Sequence, residues 1–253
     1  MTTRQLYEAL NEKIPPSLSC EWDNDGIMCC PDGSKEVGRV LITLDVTADA
    51  VRHAINGKYD LIVSHHPLIF KGLKSIEEEQ YIAAKVIDLI RSGVSVFSFH
   101  TRLDAVSGGV NDRLAELLEL TDVTPFGDEG IGRIGTLPVS LTAEKFAATV
   151  KQALGAPYVN LGDAGKPVRR VAVLGGGGAD DVYAAEAAGA DTYVTGELKY
   201  HQLCDAPEGG INLIEAGHFY TEQPVTEVLA ALIRETVPGS VCEIFHSNRV
   251  KAI

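Results

Sequence analysis

The chain has 253 residues, of which 45% are hydrophobic and 23% are charged, as in soluble globular proteins rather than disordered ones. This length provides one large or two small domains, with a core that needs no disulfide or metal to fold. The chain carries 22 basic and 35 acidic residues and a net charge of −13, which disfavours a sequence-independent grip on nucleic acid.

The cysteines and the apolar runs indicate the compartment. The chain has five cysteines, an odd number, and none of them form a Cys-x-x-Cys pair. A bond between the adjacent Cys29 and Cys30 would be strained, so we expect free thiols and a cytoplasmic, reducing setting. Cys204 and Cys242 are expected to be core thiols. No apolar run approaches the roughly 20 residues that span a membrane, and the polar first residues lack a secretory core.

Strand-like and helix-like patterns alternate along the chain. The first half predicts strands at 40–44, 61–63 and 94–99, and helices at 47–55, 81–90 and 110–118. A connector at roughly 127–167 predicts a strand at 131–137, a helix at 142–154 and a strand at 158–161. The second half predicts strands at 171–174, 192–194 and 211–214, and helices at 180–188 and 225–235. This alternation predicts βαβ units and largely parallel sheets.

The predicted βαβ units repeat within the sequence. Adding 131 to the residue numbers pairs Val40 with Val171 and Asp60 with Asp191 without a gap, although strand positions also match by chance. At an offset of 118, the His-x-x-x-carboxylate pattern of residues 100–104 returns at residues 218–222. We therefore predict an α/β fold of two related lobes that face each other.

The predicted domains follow from the repeat. The first lobe takes residues 1–125 and is joined by the C-terminal segment 224–253, and the second lobe takes residues 126–223. Ligands of open α/β sheets gather beyond the carboxyl ends of the strands, so each lobe is expected to offer side chains from its strand ends.

Five of the seven histidines lie at or near the ends of predicted strands: His65, His66, His100, His201 and His218. The sharpest local signal is Ser64-His65-His66-Pro67. Neighbouring side chains of an extended chain point in opposite directions, so adjacent histidines suit two metals better than one. Pro67 favours an extended conformation at His66. The alternative is a polar strand end with two solvated imidazoles.

Asp104 and Glu222 complete a mixed set of ligands. Histidines and carboxylates without cysteine suit Zn, Fe, Mn or Ni, and five ligands exceed what one tetrahedral structural zinc takes. Two divalent transition-metal ions per chain, sharing a carboxylate and a bridging water, match the number of ligands. Such a pair would lower the pKa of water towards about 7. The alternative for Asp104 and Glu222 is capping of helix N-termini.

The glycine run Gly175–Gly178 precedes a predicted helix and raises the possibility of a phosphate site. No Lys-Ser/Thr pair follows it, and Asp180 stands where the dinucleotide fingerprint requires the last glycine. The run therefore favours a tight turn without a ligand.

Motifs along nearly the whole chain resemble the Nif-three-like family, also named GTP cyclohydrolase 1 type 2 homologues. They are Trp22-Asp23-Asn24-x-Gly26, Ser64-His65-His66-Pro67, His100-Thr-x-x-Asp104, Gly132-Arg-Ile-Gly135, Thr195-Gly-Glu197 and Gly217-His218-x-x-x-Glu222. The connector is too short for the extra domain that longer members insert between the lobes, so the chain resembles the short form.

The resemblance implies two α/β lobes around a dinuclear metal centre, assembled into a toroidal homohexamer. It implies metal ligands at five positions, the same ones that the repeat suggests: His65, His66, Asp104, His218 and Glu222. His100 then becomes a neighbour of the metal site or a proton-transfer group rather than a ligand.

Two hypotheses about function follow. The first is a dinuclear metal-dependent hydrolase, resembling GTP cyclohydrolase 1 type 2, in which metal-bound hydroxide attacks a purine nucleotide. His100, Glu197 and His201 are then expected to move protons. Trp22 and Asp23 are expected to bind substrate, with Trp22 stacking on a base unless it is a core residue. The second hypothesis is a metal-stabilised hexameric scaffold or regulatory binding protein without turnover.

Overall fold

The structure is a computed structural model that describes residues 1–127 and 129–251. The chain divides into two compact units, Met1–Val106 with Val225–Lys251, and Ser107–Pro224. The predicted domain ranges change lobe after residue 125, and residues 128, 252 and 253 of those ranges lie outside the described residues. These ranges stay a prediction.

Unit 1 contains a five-stranded sheet. Its strands are β1 (Gly26–Cys29), β2 (Arg39–Thr43), β3 (Leu61–Ser64), β4 (Ser95–Ser98) and β11 (Val241–Ile244). They lie in the order β1-β4-β3-β2-β11, and every neighbouring pair except β1 with β4 is parallel. All four residues of β3 are buried, as expected for a central parallel strand whose two faces are covered.

Five helices accompany this sheet in the described part of unit 1. They are α1 (Thr3–Lys13), α2 (Ala48–Asn56), α3 (Tyr81–Ser92), α4 (Thr101–Ala105) and α10 (Val225–Thr236). The Thr47 hydroxyl accepts a hydrogen bond of 3.1 Å from the Ala50 N–H and so caps α2. Gly93 ends α3 with a φ of +65°, a left-handed conformation that favours glycine.

Unit 2 contains a mixed six-stranded sheet. Its strands are β5 (Thr121–Phe126), β6 (Gly132–Leu141), β7 (Asn160–Gly162), β8 (Val168–Leu174), β9 (Thr192–Thr195) and β10 (Asn212–Glu215). They lie in the order β5-β6-β8-β9-β10-β7, in which only the β8-β9 and β9-β10 pairs are parallel. The described helices are α5 (Val110–Leu117), α6 (Ala143–Leu154), α7 (Val182–Ala187), α8 (Tyr200–Gly209) and α9 (His218–Glu222).

The βαβ repeat predicted at an offset of 131 is matched by the strand register. Val40 pairs with Leu61 in unit 1, and Val171 pairs with Thr192 in unit 2. Each residue of the second pair is therefore 131 positions after its counterpart in the first pair. The aspartates that precede β3 and β9, the second strands of the two repeated βαβ segments, also make equivalent hydrogen bonds. The Asp60 carboxylate accepts hydrogen bonds from two backbone N–H groups at the start of β2, and Asp191 does the same within β8.

Three expectations need correction. The stretch 127–167 is not a connector, because β6 lies between β5 and β8 and α6 packs in the core of unit 2. The second repeat, predicted at an offset of 118, is one residue out of register. The offset is 117 between β4 and β10, and it is also 117 between α4 and α9. Cys204 is exposed and Cys242 half-buried, so neither is a core thiol; all five cysteines are free, as predicted.

The described helices include none that is both long and apolar enough to cross a membrane.

Candidate metal centre

The polar side chains of unit 1 gather at the carboxyl end of its parallel strands. Asp45 follows β2, His65 and His66 follow β3, and His100 follows β4. Because β2, β3 and β4 run parallel, these residues leave the sheet at one edge, where ligands of α/β proteins bind.

Three imidazoles meet at this edge and form the histidine cluster, His65, His66 and His100. Their ring centroids are 4.9 to 5.7 Å apart. One ring nitrogen of each lies within 4.8 Å of the others, close enough for shared coordination. The Asp104 carboxylate on α4 adds an oxygen 3.6 Å from His65 Nε2. Three nitrogens and one carboxylate therefore converge within unit 1.

Each of the three imidazoles is oriented through its Nδ1 atom. His65 Nδ1 donates to the Phe99 carbonyl at 2.9 Å, and His66 Nδ1 donates to Asp45 Oδ1 at 2.8 Å. His100 Nδ1 lies 2.8 Å from Asp23 Oδ1. A histidine that donates from Nδ1 presents its Nε2 lone pair to a metal, and such partners commonly accompany metal-binding histidines.

Asp23 holds His100 in place through its carboxylate. Its side chain is fully buried, and its second carboxylate oxygen accepts hydrogen bonds from the Thr101 N–H at 3.1 Å and hydroxyl at 2.6 Å. Burial alone would raise the pKa of Asp23, but the hydrogen bonds from His100 and Thr101 outweigh it and hold the pKa far below its usual value. Asp23 is thus a charged carboxylate committed to protein partners.

Arg102 anchors the helix that carries Asp104. Its buried guanidinium contacts the Asp25 carboxylate at 3.0 Å and donates to the Asn11 side chain at 2.7 Å and the Ile14 carbonyl at 3.1 Å. These bonds tie α4 to the last turn of α1 and to the segment that follows it. Burial raises the pKa of Asp25, and the positive charge of Arg102 opposes that rise.

Unit 2 places a second group of donors on α9. His218 Nε2 lies 3.0 Å from Glu222 Oε2, one helical turn along, and His218 Nδ1 lies 2.9 Å from Glu197 Oε1. The Glu222 side chain is only 6% exposed, whereas that of Glu197 is 62% exposed. Glu197 therefore orients His218 in the way that Asp45 orients His66.

The glycine run lies against this second group. Gly176 has a φ of +69°, and a Cβ atom there would collide with the Glu222 carboxylate. The N–H groups of Gly175, Gly176 and Gly178 donate to side chains of unit 2, at 2.8, 3.0 and 3.1 Å. Those donors are therefore not directed to a phosphate. The run is a close-packed turn, as the sequence predicts, and makes room for Glu222.

The donors fit a divalent transition metal. Nitrogen and carboxylate oxygen ligands without thiolate are those that Zn, Fe, Mn and Ni accept. In unit 1 the three rings already lie together with their Nδ1 atoms engaged, so the donor geometry exists without further rearrangement of the side chains. The structure indicates a possible metal site, whereas the metal and the number of ions stay predictions.

The remaining predicted site residues differ in their surroundings. His201 is exposed on α8 and belongs to none of the ligand clusters among the described residues. Trp22 is 60% exposed, so it is not a core tryptophan. Neither Asp104 nor Glu222 is an N-cap residue, because His100 and Gly217 occupy those positions. The sequence reasoning missed Asp45, although its place directly after a predicted strand was a usable signal.

Comparisons with known proteins agree on one family. A family model described as Duf34/NIF3 (NGG1p interacting factor 3) matches residues 1–251. A GTP cyclohydrolase 1 type 2 homolog of Clostridium perfringens is 31% identical over 248 residues, which cover 95% of this chain and 94% of that protein. A protein NIF3 homolog of Schizosaccharomyces pombe is 31% identical over 265 residues, covering 98% of this chain and 92% of that protein.

Two solved structures are similar in fold over nearly the whole chain. The crystal structure of a hypothetical protein of Staphylococcus aureus matches with a TM-score of 0.90 and 28% identity, covering 100% of this chain and 99% of that one. Reduced HcgD from Methanocaldococcus jannaschii matches with a TM-score of 0.85 and 26% identity, covering 96% of this chain and 97% of that one.

Proposed function

We propose that this chain, which belongs to the Duf34/NIF3 family, is a divalent-metal-dependent hydrolase that acts on a purine nucleotide. The observation that carries the proposal is the histidine cluster at the carboxyl edge of the unit 1 sheet, with each Nδ1 atom held by an oxygen. Histidines whose Nδ1 atom is held by an oxygen in this way are typical of metal sites.

The full ligand set, in this proposal, combines both units. His65, His66 and Asp104 come from unit 1, and His218 and Glu222 come from unit 2. These five residues would together hold two divalent ions, with Glu222 as one of the carboxylate ligands. Support comes from the preorganised geometry within each unit: His65 lies against Asp104, and His218 lies against Glu222 with Glu197 behind it.

The metal ions supply the nucleophile in this account, since divalent ions lower the pKa of coordinated water from 15.7 towards about 7. The protein must then hold the substrate and move protons. His100 suits proton transfer because Asp23 occupies its Nδ1 and leaves only Nε2 to exchange a proton. Its side chain is 18% exposed, so substrate can reach it.

Asp23 acts, in this proposal, by positioning His100 rather than by touching substrate. Both carboxylate oxygens already accept hydrogen bonds, and the side chain is fully buried. A fixed negative charge beside Nδ1 also stabilises the imidazolium that forms when Nε2 takes a proton. Glu197 is proposed to hold His218. His201 has the weakest support of the predicted proton-transfer groups, because it is exposed and belongs to no ligand cluster among the described residues.

The nucleotide substrate is proposed from the relatives. Several are named GTP cyclohydrolase 1 type 2 homolog, including the Clostridium perfringens protein at 31% identity. Attack of hydroxide at C8 of guanine would break the C8–N9 bond and leave a formamide on N7, and hydrolysis of that formamide by a second water would release formate. The resemblance to a hexameric family extends the proposal to a homohexamer, which light scattering of the purified protein checks.

The experiment compares metal loading and turnover in the same samples. Metal-free protein is reconstituted with Zn, Mn, Fe or Ni, and formate and phosphate are both assayed with GTP. The expected result is metal-dependent release of one product, lost in His66→Ala. The exposed His246 provides the matched histidine control, and His246→Asn should keep both metal and activity. Loaded protein that releases neither product from any nucleotide would instead support the scaffold hypothesis.

A further inference from the structure

The tryptophan of this chain is exposed on a loop that is held in place. Trp22 is the sole tryptophan of the sequence, and it is 60% exposed. The next residue, Asp23, accepts hydrogen bonds from His100 at 2.8 Å and from Thr101 at 2.6 and 3.1 Å. These hydrogen bonds hold the chain in place next to Trp22.

A second exposed aromatic residue lies against the first. Phe70 is 44% exposed, and its ring centroid lies 6.2 Å from that of Trp22. The Asn24 side chain donates to the Ile69 carbonyl, so a hydrogen bond joins the two loops beside the aromatic pair. Hydrogen bonds therefore hold the chain in place next to both aromatic residues.

The aromatic pair borders the histidine cluster. His100 lies 6.3 Å from Trp22 and 6.1 Å from Phe70, measured between ring centroids. The ring planes of Trp22 and Phe70 are inclined to each other by 70°. The plane of His100 is inclined by 81° to that of Trp22 and by 89° to that of Phe70. Single exposed apolar residues are ordinary on protein surfaces. Two in contact, on anchored loops beside three converging imidazoles, point to a ligand.

We infer that Trp22 and Phe70 form an aromatic platform that binds the planar base of the substrate and presents one edge of it to His100. The inference rests on the proposed function and adds to it a residue, Phe70, and an orientation. A base parallel to the indole would lie at about 70° to Phe70 and 81° to His100. It therefore stacks on Trp22 and meets Phe70 edge to face, both favourable aromatic geometries.

The expected effect follows from the strength of base stacking. Removing an aromatic partner costs about 1–3 kcal/mol per base, which corresponds to roughly 5- to 150-fold in affinity. Because Phe70 makes the edge contact, Phe70→Leu should weaken binding of the base by about 5- to 10-fold, the lower end of that range.

Fluorescence with selective excitation of tryptophan provides the test, because Trp22 is the sole tryptophan of the sequence. Metal-free protein is titrated with guanosine, GMP, ribose 5-phosphate and inorganic phosphate. Guanosine and GMP should change the emission saturably, whereas the two probes without a base should not. Phe70→Leu should shift the guanosine curve to higher concentration. Tyr200→Leu, which removes an aromatic residue that is 84% exposed on α8, should leave the curve unchanged.

Other outcomes would overturn the inference. These are an equal response to ribose 5-phosphate, a guanosine curve that Phe70→Leu does not move, a saturable response to tetramethylammonium instead of guanosine, or an emission change that follows protein concentration alone. The last would mean that a second copy of the chain covers the platform.

The inference and the proposed function can fail separately. Base binding that depends on Phe70, without turnover by any metal-loaded form, keeps the platform and removes the hydrolase. Turnover of GTP with the same KM in wild type and Phe70→Leu keeps the hydrolase and removes the platform.

Discussion

The substitution Asp45→Asn tests the orientation of the histidine cluster without removing a ligand. Asp45 Oδ1 lies 2.8 Å from His66 Nδ1, and its side chain is 42% exposed. The asparagine oxygen can still accept the Nδ1–H bond, but the negative charge beside the imidazole is lost. Loss of such a partner typically weakens metal binding by about 10- to 100-fold. Because water screens a half-exposed carboxylate, we expect about 10-fold.

The assay is competition for Zn or Mn between metal-free protein and a chromophoric chelator at low salt. Asp49→Asn is the matched control, because its carboxylate is similarly exposed, at 39%, and pairs with Arg52 and Arg249 instead of a histidine. Asp49→Asn should bind metal like the wild type. Equal affinities for Asp45→Asn and Asp49→Asn would refute the claim that Asp45 prepares His66 for a metal.

Three further predictions concern the turn, the proton-transfer group and the repeat. Gly176→Ala should lower the free energy of unfolding by about 2–4 kcal/mol, because the strain of a left-handed alanine adds to its collision with Glu222. Gly177→Ala is the control, because a Cβ atom there meets open space. Calorimetry of the two variants measures the difference. His100→Ala should keep metal but lose about 10²- to 10⁴-fold in turnover, and loss of metal would make it a ligand. Burial alone would raise the pKa of Asp60, but its hydrogen bonds outweigh burial and lower the pKa overall. Asp60→Asn should therefore lower the free energy of unfolding at pH 7. That difference should shrink as the pH falls below about 4, and urea unfolding at both pH values measures it.

Much of the fold could be predicted because buried parallel strands leave a strong local signal. The apolar run of β3 and the periodic pattern of α3, ending at Gly93, are found where the sequence predicts them. The edge strands β1 and β11 were not predicted, since each is short and half-exposed and its pairing depends on distant residues. The offset of 118 came from the spacing of histidines, whereas strand pairing sets the register at 117.

The candidate site was predictable in part for the same reason. His65 and His66 directly follow a clear strand, so their place at the sheet edge follows from the sequence. The partners on Nδ1 could not be derived, because the Phe99 carbonyl and the Asp45 carboxylate come from neighbouring strands. Phe70 gave no signal of its own, since its meaning depends on contact with Trp22, 48 residues earlier in the chain.

The proposed function requires that residues such as His66 and Glu222 hold metal ions. The most direct measurement is the number of ions bound per chain, by elemental mass spectrometry after reconstitution, in wild type, His66→Ala and Glu222→Gln. The account predicts two ions in the wild type and fewer in each variant, because each variant removes a proposed ligand from a different unit. Two ions retained in Glu222→Gln, or none in the wild type, would contradict it.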